Sequence, residues 1–256
     1  MELVGAIAVG LTKYFGRVEA DGLENLPMRG PAIVAVNHTS IADVPPVLST
    51  LFRAGLRPSR PCHRPGCGTD HGHVRFLAAA EVFNHWFSGP LARHAGMIEG
   101  PAVWRGLNAP GARRSDAGAA AVRAAEEALD DGQIIGIYPE GDAMRPNPDG
   151  SPRRFKSGVA RLALAAAAPV IPVAHHDARE ISSGTVGEAI GRALTSVVRR
   201  PTIRLRVGRP VLPEEFAGLP VREVVELIQR RVTDVWRTIA AEVTAGASPG
   251  LVEKPL

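Results

Sequence analysis

Apolar positions along this chain follow two rhythms that take turns. Short apolar runs closed by turn residues predict strands at 32 to 36, near 74 to 78, at 134 to 138, at 170 to 174 and at 202 to 207. Gln133 to Tyr138, set between Asp-Asp-Gly and Pro-Glu-Gly, reads as a buried strand with turn punctuation. Between these runs apolar residues recur every three or four positions. That spacing predicts helices after Pro45-Pro46, at 81 to 93, at 119 to 129 and from Val159 to Ala168. A long amphipathic helix over 222 to 243 carries Val225, Ile228, Val232, Val235, Trp236, Ile239 and Val243 along one side, which predicts that it covers the sheet. Strands alternating with helices indicate an α/β layer structure.

The two ends read differently. Leu3, Val4, Ile7, Leu11, Tyr14 and Phe15 recur at helical spacing, so residues 1–18 are expected to form an amphipathic helix that either lies in a membrane interface or docks on the core. Residues 245–256 are rich in Gly, Ser and Pro and read as a flexible tail. Residues 19–244 remain for a single domain, and 256 residues at 45% hydrophobic content can bury a sizeable core. No run reaches the ~18 to 20 consecutive apolar residues that span a bilayer. Glu2 and the lack of a small-residue cleavage site argue against a signal peptide. The expectation is peripheral attachment at the cytoplasmic side of a membrane, with no transmembrane span.

Chemistry concentrates at strand ends. Asn37-His38-Thr39-Ser40-Ile41-Ala42-Asp43 follows the 32 to 36 strand and places an imidazole and a carboxylate five positions apart at a strand-to-helix junction. An imidazole with an ordinary pKa near ~6.5 is partly neutral at physiological pH, and an anionic partner fixes its tautomer and offsets the charge it gains as a base. Ser40 is the expected N-cap of the following helix, with Asp43 three positions on as in a capping box; the bland alternative is that Asp43 only caps that helix and His38 is a solvated loop residue. Pro139-Glu140-Gly141 closes another strand, and Arg145, Arg153, Arg154 and Lys156 follow before the helix at Val159. Cations and free helix N–H groups converge there on a place for an anion, unless the cluster is a solvated basic loop. His175-His176-Asp177 is either part of the same cleft or a strand-end turn.

Four blocks in order resemble the glycerolipid acyltransferases typified by 1-acylglycerol-3-phosphate O-acyltransferase. Residues 37 to 43 resemble the family's His-x4-Asp block, and Tyr138 to Gly141 its Pro-Glu-Gly block. Phe155 to Ala160 and Pro169 to Val173 resemble the two downstream blocks. The order and spacing together are specific. The resemblance implies a single domain with a mostly mixed central sheet flanked by helices, like that of glycerol-3-phosphate acyltransferase. The His block would sit at strand ends facing a hydrophobic acyl groove.

The same resemblance implies His38 as general base and Asp43 as its orienting partner, with Glu140, Gly141, Arg145, Lys156 and Arg105 binding substrate. Two departures are visible. Asp142-Ala143-Met144 stand between Gly141 and the first arginine, Arg145, and in the block opened by Gly96-Met97-Ile98-Glu99 the expected arginine position is Ala102, with Arg105 later. The implied reaction moves a fatty acyl group from acyl-CoA or acyl carrier protein to a lysophospholipid hydroxyl, most simply turning 1-acylglycerol-3-phosphate into phosphatidic acid, with no cofactor required. Another lipid or glycolipid hydroxyl as acceptor, or water in an acyl-thioester hydrolase, are the alternatives.

The net charge of +4, carried almost wholly by arginine, suits an anionic membrane surface or the phosphates of an acyl donor. Nucleic acid is not expected as a partner, because aromatic residues are only 5% and no recognition motif is present. Both cysteines fall in one segment with three histidines, where Cys62, Cys67, His71 and His73 could ligate a structural zinc. A Cys62 to Cys67 disulfide and an ordinary Pro/Gly-rich loop are the other readings of that segment.

Overall fold

The computed structural model describes residues 10, 17–39, 43–58, 72–84, 86, 88–101, 114–141, 147–176 and 201–246. The strands are β1 (Arg17–Asp21), β2 (Ala32–Val36), β3 (Arg57–Pro58), β4 (His73–Ala78), β5 (Ile98–Glu99), β6 (Ile134–Ile137), β7 (Val170–His176) and β8 (Thr202–Val207). The helices are α1 (Val44–Arg53), α2 (Ala80–Asn84), α3 (Ser88–His94), α4 (Arg114–Asp130), α5 (Gly158–Ala166), α6 (Pro213–Phe216) and α7 (Val221–Thr244).

β2 lies at the heart of the sheet and is buried at all five positions, because both of its faces are covered. Ala32, Val34 and Val36 pack with Val47, Leu48 and Leu51 of α1, while Ile33 and Ala35 pack with residues of α4, α5 and α7. The strand order is β1-β8-β7-β2-β6-β4-β3, and β5 also pairs with β4. Pairing is parallel except between β7 and β8, so this is a single mixed sheet flanked by helices. β2 is parallel to β6 on one side and to β7 on the other, which brings the carboxyl ends of all three to one edge. The chain leaves β2 toward β4 and leaves β7 toward β8, on the opposite side. Such a change of direction opens a crevice beyond the strand ends.

α7 buries Val224, Ile228, Val232, Trp236 and Ile239; the last four lie on the expected stripe, whereas Val224 takes the buried place expected of Val225, which like Val235 and Val243 is only partly buried. It also reaches the region of the site, since Gln229 Oε1 accepts the backbone N–H of Phe155 at 3.0 Å and so fixes the loop before α5.

Four expectations are corrected. The single helix at 81 to 93 is two, α2 and α3. Pro90, lacking an N–H, fits the first turn of a new helix rather than the middle of an old one. Gly89 lets that turn approach the Phe83 carbonyl so closely that a Cβ would lie 2.3 Å from it. Second, α1 begins at Val44, ahead of Pro45-Pro46 rather than after them, with Asp43 at the N-cap position in place of the expected Ser40, which lies outside the described residues. Pro45 and Pro46 occupy the first turn, where missing N–H groups cost nothing. Third, β7 runs through His175 and His176, so these are strand residues and not a turn. Fourth, Arg17 and Val18, expected to end the N-terminal helix over 1–18, open β1 instead and pair with β8, although Arg-Val-Glu-Ala-Asp carries no apolar run; charged side chains suit a strand at a sheet edge.

The amphipathic segment at residues 1–9 and 11–16 and the tail from 247 lie outside the described residues. Among the described residues no helix is long and apolar enough to cross a membrane.

Candidate active site

The segment after β2 and the turn after β6 meet at the carboxyl edge of the sheet. His38 Nδ1 lies 2.9 Å from Oδ2 and 3.1 Å from Oδ1 of Asp43. An ionised carboxylate only accepts, so Nδ1 carries the hydrogen and donates it, and the lone pair of the neutral imidazole is on Nε2. Asp43 has no solvent exposure, whereas the His38 side chain keeps 16%. The carboxylate at the head of α1 makes no capping bond to its own helix. Its Oδ2 instead accepts the backbone N–H of Thr39 at 3.0 Å, which folds the loop back on itself. Capping and pairing with His38 were competing readings of Asp43, and the carboxylate is turned toward the imidazole.

Glu140 reaches the same loop from the other side, its Oε1 accepting the backbone N–H of His38 at 2.9 Å. The turn that presents it follows from its residues. Gly141 N–H donates to Tyr138 O at 3.0 Å, Pro139 occupies the position where a fixed φ near −65° is favoured, and Gly141 has φ +67°, a value that suits glycine. A Cβ at Gly141 would lie 2.5 Å from Lys156 Nζ, so the glycine also admits that side chain. Lys156 Nζ donates to the Gly141 carbonyl at 3.3 Å and its backbone N–H to Pro139 O at 2.8 Å. Arg153, which shares the basic stretch, holds Glu140 through Nε to Oε2 at 3.4 Å, while Arg154 and Lys156 are exposed.

Two residues without a role in the motif reading complete the site. Tyr138 stacks on the His38 ring, centroid to centroid 4.2 Å at 26°, and is itself backed by Phe76. Phe76 lies over Gly136 so closely that a Cβ there would sit 2.5 Å from the ring. His175, fully buried, brings Nε2 to 3.1 Å from Asp43 Oδ2 and 2.9 Å from the Asn37 carbonyl. Alternation is the signal that could have found it: Ile171 and Val173 face the α1 side of the sheet, and position 175 continues that face to the strand's end.

The electrostatics separate the two carboxyls. Burial pushes the Asp43 carboxyl up, but its interactions and hydrogen bonds with His38 and His175 outweigh that and hold it well below the usual carboxylate range. Burial also pushes Glu140 up, and there it prevails, because the His38 backbone N–H and Arg153 offset it only in part and the carboxyl stays above its ordinary value. The Tyr138 hydroxyl is raised well above 10.0 by burial and then by the Asp43 charge, so it keeps its proton; it forms no hydrogen bond of good geometry among the described residues. A neutral imidazole oriented by an ionised carboxylate and reaching solvent with its other nitrogen can take a proton from a bound hydroxyl or water.

Arg145 and Arg105 lie outside the described residues, as do Cys62, Cys67 and His71. His73 is placed in β4, paired in register with Arg57, and among the described residues no three His, Cys, Asp or Glu side chains are arranged to hold a metal ion.

The family model for Acyltransferase matches residues 17–176, a span that takes in every residue of the site. The chain is 23% identical over 226 residues to the 1-acyl-sn-glycerol-3-phosphate acyltransferase of Bacillus subtilis, covering 86% of this chain and 88% of that protein. It is 28% identical over 173 residues to an uncharacterized protein of Mycobacterium tuberculosis, covering 66% of this chain and 40% of the relative. The crystal structure of the 1-acyl-sn-glycerophosphate acyltransferase PlsC from Thermotoga maritima has the same fold, with a TM-score of 0.57 at 20% identity over 92% of this chain and 79% of that one.

Proposed function

Because the chain belongs to the Acyltransferase family, we propose that it transfers a fatty acyl group from a thioester, acyl-CoA or acyl carrier protein, to the free hydroxyl of a lysophospholipid, most simply 1-acylglycerol-3-phosphate. The observation that carries the reading is the His38–Asp43 pair at 2.9 Å, with Glu140 bonded to the backbone of the same histidine. His38 Nε2 takes the proton of the acceptor hydroxyl while the oxygen attacks the thioester carbonyl, forming the C–O bond. The tetrahedral intermediate collapses with cleavage of the C–S bond, and the departing thiolate recovers the proton from the imidazolium. Asp43 remains ionised throughout and stabilises the positive charge on His38. No acyl-enzyme forms, so no serine or cysteine nucleophile is called for.

Lys156 supports an anionic acceptor, because its exposed ammonium stands at the Glu140–Gly141 turn, and Arg154 two residues before it is exposed as well. The similarity to the 1-acyl-sn-glycerol-3-phosphate acyltransferase of Bacillus subtilis supports the same acceptor class. Arg145 and Arg105 are proposed as further phosphate contacts on the family pattern, and attachment at a membrane surface through residues 1–15 is proposed from their sequence.

The test is a panel of lipid acceptors with labelled acyl-CoA, the products identified by mass spectrometry. Phosphatidic acid formed only when 1-acylglycerol-3-phosphate is present is the expected result, and His38→Ala should lower its formation by about 10²- to 10⁴-fold with an unchanged circular dichroism spectrum. Release of free fatty acid with no acylated acceptor would replace the transferase reading with a hydrolase.

A further inference from the structure

His175 stands outside the motif blocks, yet it occupies the most constrained place in the site. Its backbone N–H donates to Asn37 Oδ1 at 2.8 Å, and its carbonyl accepts Asn37 Nδ2–H at 3.2 Å. The end of β7 is thus clipped to the residue before His38 through a side-chain amide that uses both of its polar atoms. The imidazole closes the same ring of contacts, with Nε2 between the Asn37 carbonyl at 2.9 Å and Asp43 Oδ2 at 3.1 Å. Both neighbours are acceptors, so Nε2 carries the hydrogen and shares it between them. Nδ1 is buried and has no hydrogen-bond partner among the described residues, which fits the tautomer with its proton on Nε2 alone.

A histidine in that place acts on Asp43 in two ways. It fixes the carboxylate's orientation, since Oδ2 is bonded at once to His175, to Thr39 N–H and to His38 Nδ1. It also draws negative charge toward itself, leaving less for His38. The titratable groups facing Asp43 are His38 from the loop after β2, His175 from β7 and Tyr138 from the end of β6. Glu140, with Arg153 behind it, faces the His38 backbone. β8 offers Leu205 as the register partner of His175, and α7 packs Trp236 and Ile239 against Ala174, which points to the opposite face of the strand.

We propose that His175 is a positioning residue for the transfer reaction: by donating to Asp43 and to the Asn37 carbonyl it holds the carboxylate in line with His38 and moderates how strongly that carboxylate raises the basicity of His38. The inference rests on the reading of His38 as the general base. Removing the donor leaves a more anionic carboxylate opposite the imidazolium, so the acid limb of the kcat/KM profile moves to higher pH, and loss of alignment lowers kcat.

The test compares His175→Phe and His175→Met, which donate nothing, with His175→Gln, whose amide N–H can reach the same acceptors. Each is measured as full chain with acyl-CoA and 1-acylglycerol-3-phosphate across pH. Whichever donor-less variant folds, as judged by circular dichroism and melting, is expected to lose about 10- to 100-fold in kcat with little change in KM and with the acid limb displaced upward. His175→Gln is expected to recover most of kcat and the original limb. A folded donor-less variant with the wild-type kcat and profile overturns the proposal. So does an equal loss in all variants with an unmoved limb, which would assign His175 a packing role only. His38→Ala is run beside them: if it still transfers acyl groups, the general-base reading falls and this inference with it, whereas an inactive His38→Ala beside a wild-type-like His175 variant overturns this inference alone.

Discussion

At the outer strands of the sheet, Arg206 on β8 is held from two sides, by Asp21 through Nε at 2.8 Å and 2.9 Å and by Glu242 through Nη1 at 2.9 Å and Nη2 at 3.0 Å. At the strand ends, Asp43 is held by His38, His175 and Thr39. Both clusters join distant parts of the chain through charged side chains, and there the likeness stops. The Arg206 cluster is partly wet, each of its side chains keeping 21% to 30% exposure, and every guanidinium nitrogen has a carboxylate oxygen to meet. Its hydrogen bonds to Asp21 raise the Arg206 guanidinium above its already high value, so its charge does not vary over any working pH. The Asp43 cluster is drier, with Asp43 and His175 at no exposure and only the His38 side chain keeping 16%, and it leaves His175 Nδ1 and the Tyr138 hydroxyl without a hydrogen bond among the described residues. Each such orphan costs about 1–3 kcal/mol. A network built for stability matches donors to acceptors; one that tolerates orphans around a depressed carboxylate and a histidine reaching solvent is shaped by chemistry.

Exchanging one carboxylate in each cluster gives the largest contrast. Asp43→Asn should reduce kcat by about 10³- to 10⁴-fold, because an amide neither fixes the His38 tautomer nor stabilises its imidazolium. Asp21→Asn should leave kcat unchanged while lowering the melting temperature. Steady-state kinetics and thermal melts on the two variants decide this, and an equal loss of kcat in both would erase the distinction. Next in size is Gly136→Ala. Its Cβ would press on Phe76, which backs Tyr138, which in turn stacks on His38. Overpacking of this kind costs about 1–3 kcal/mol, and here kcat should fall along with stability. Wild-type kcat in a destabilised Gly136→Ala would show that the aromatic stack does not position the histidine.

Arg206→Ala comes third, with an expected loss of about 1 kcal/mol after allowing for solvent screening, a melting shift of about 2–4 °C for a domain of this size, and no change in kcat.

The smallest effect concerns pH. Asp43, depressed in the folded state, contributes stability that is present above the unfolded carboxyl value of ~3.9 and is lost as pH falls toward its folded value. Glu140, raised in the folded state, does the reverse: it opposes folding at neutral pH and ceases to do so as pH falls through its raised value. Glu140→Gln keeps an oxygen for the His38 N–H and removes the buried charge. It should therefore melt slightly higher than wild type at pH 7 to 8, with the difference shrinking on acidification. A difference that grows on acidification would contradict the direction assigned to Glu140.

What could be read in the sequence divides along the same line. β2 and β6 were legible because strands covered on both faces must be apolar throughout, and α7 because one stripe of it must be. β1 was not, because pairing by backbone alone at a sheet edge leaves no apolar mark; nor were the two-residue strands β3 and β5. His38, Asp43 and Glu140 announced themselves by motif, and the structure brings them within hydrogen-bonding distance. His175 did not, because its meaning depends on the parallel register of β7 with β2, which sets it beside Asn37. A pair of histidines after an apolar run is ambiguous until the length of the strand is known, and two more residues of pairing turn an apparent bend into a buried contact.

The separations in sequence carry one further consequence. His38 meets Glu140 across 102 positions, and Asn37 meets His175 across 138. Neither contact is local, so during refolding from denaturant neither forms until the crossovers to β6 and β7 have closed. A chain truncated before residue 170 would retain β2 and its histidine yet lack the clip on Asn37. Recovery of catalysis should accordingly lag behind recovery of helical signal, making enzymatic turnover a clock for the final docking of the sheet.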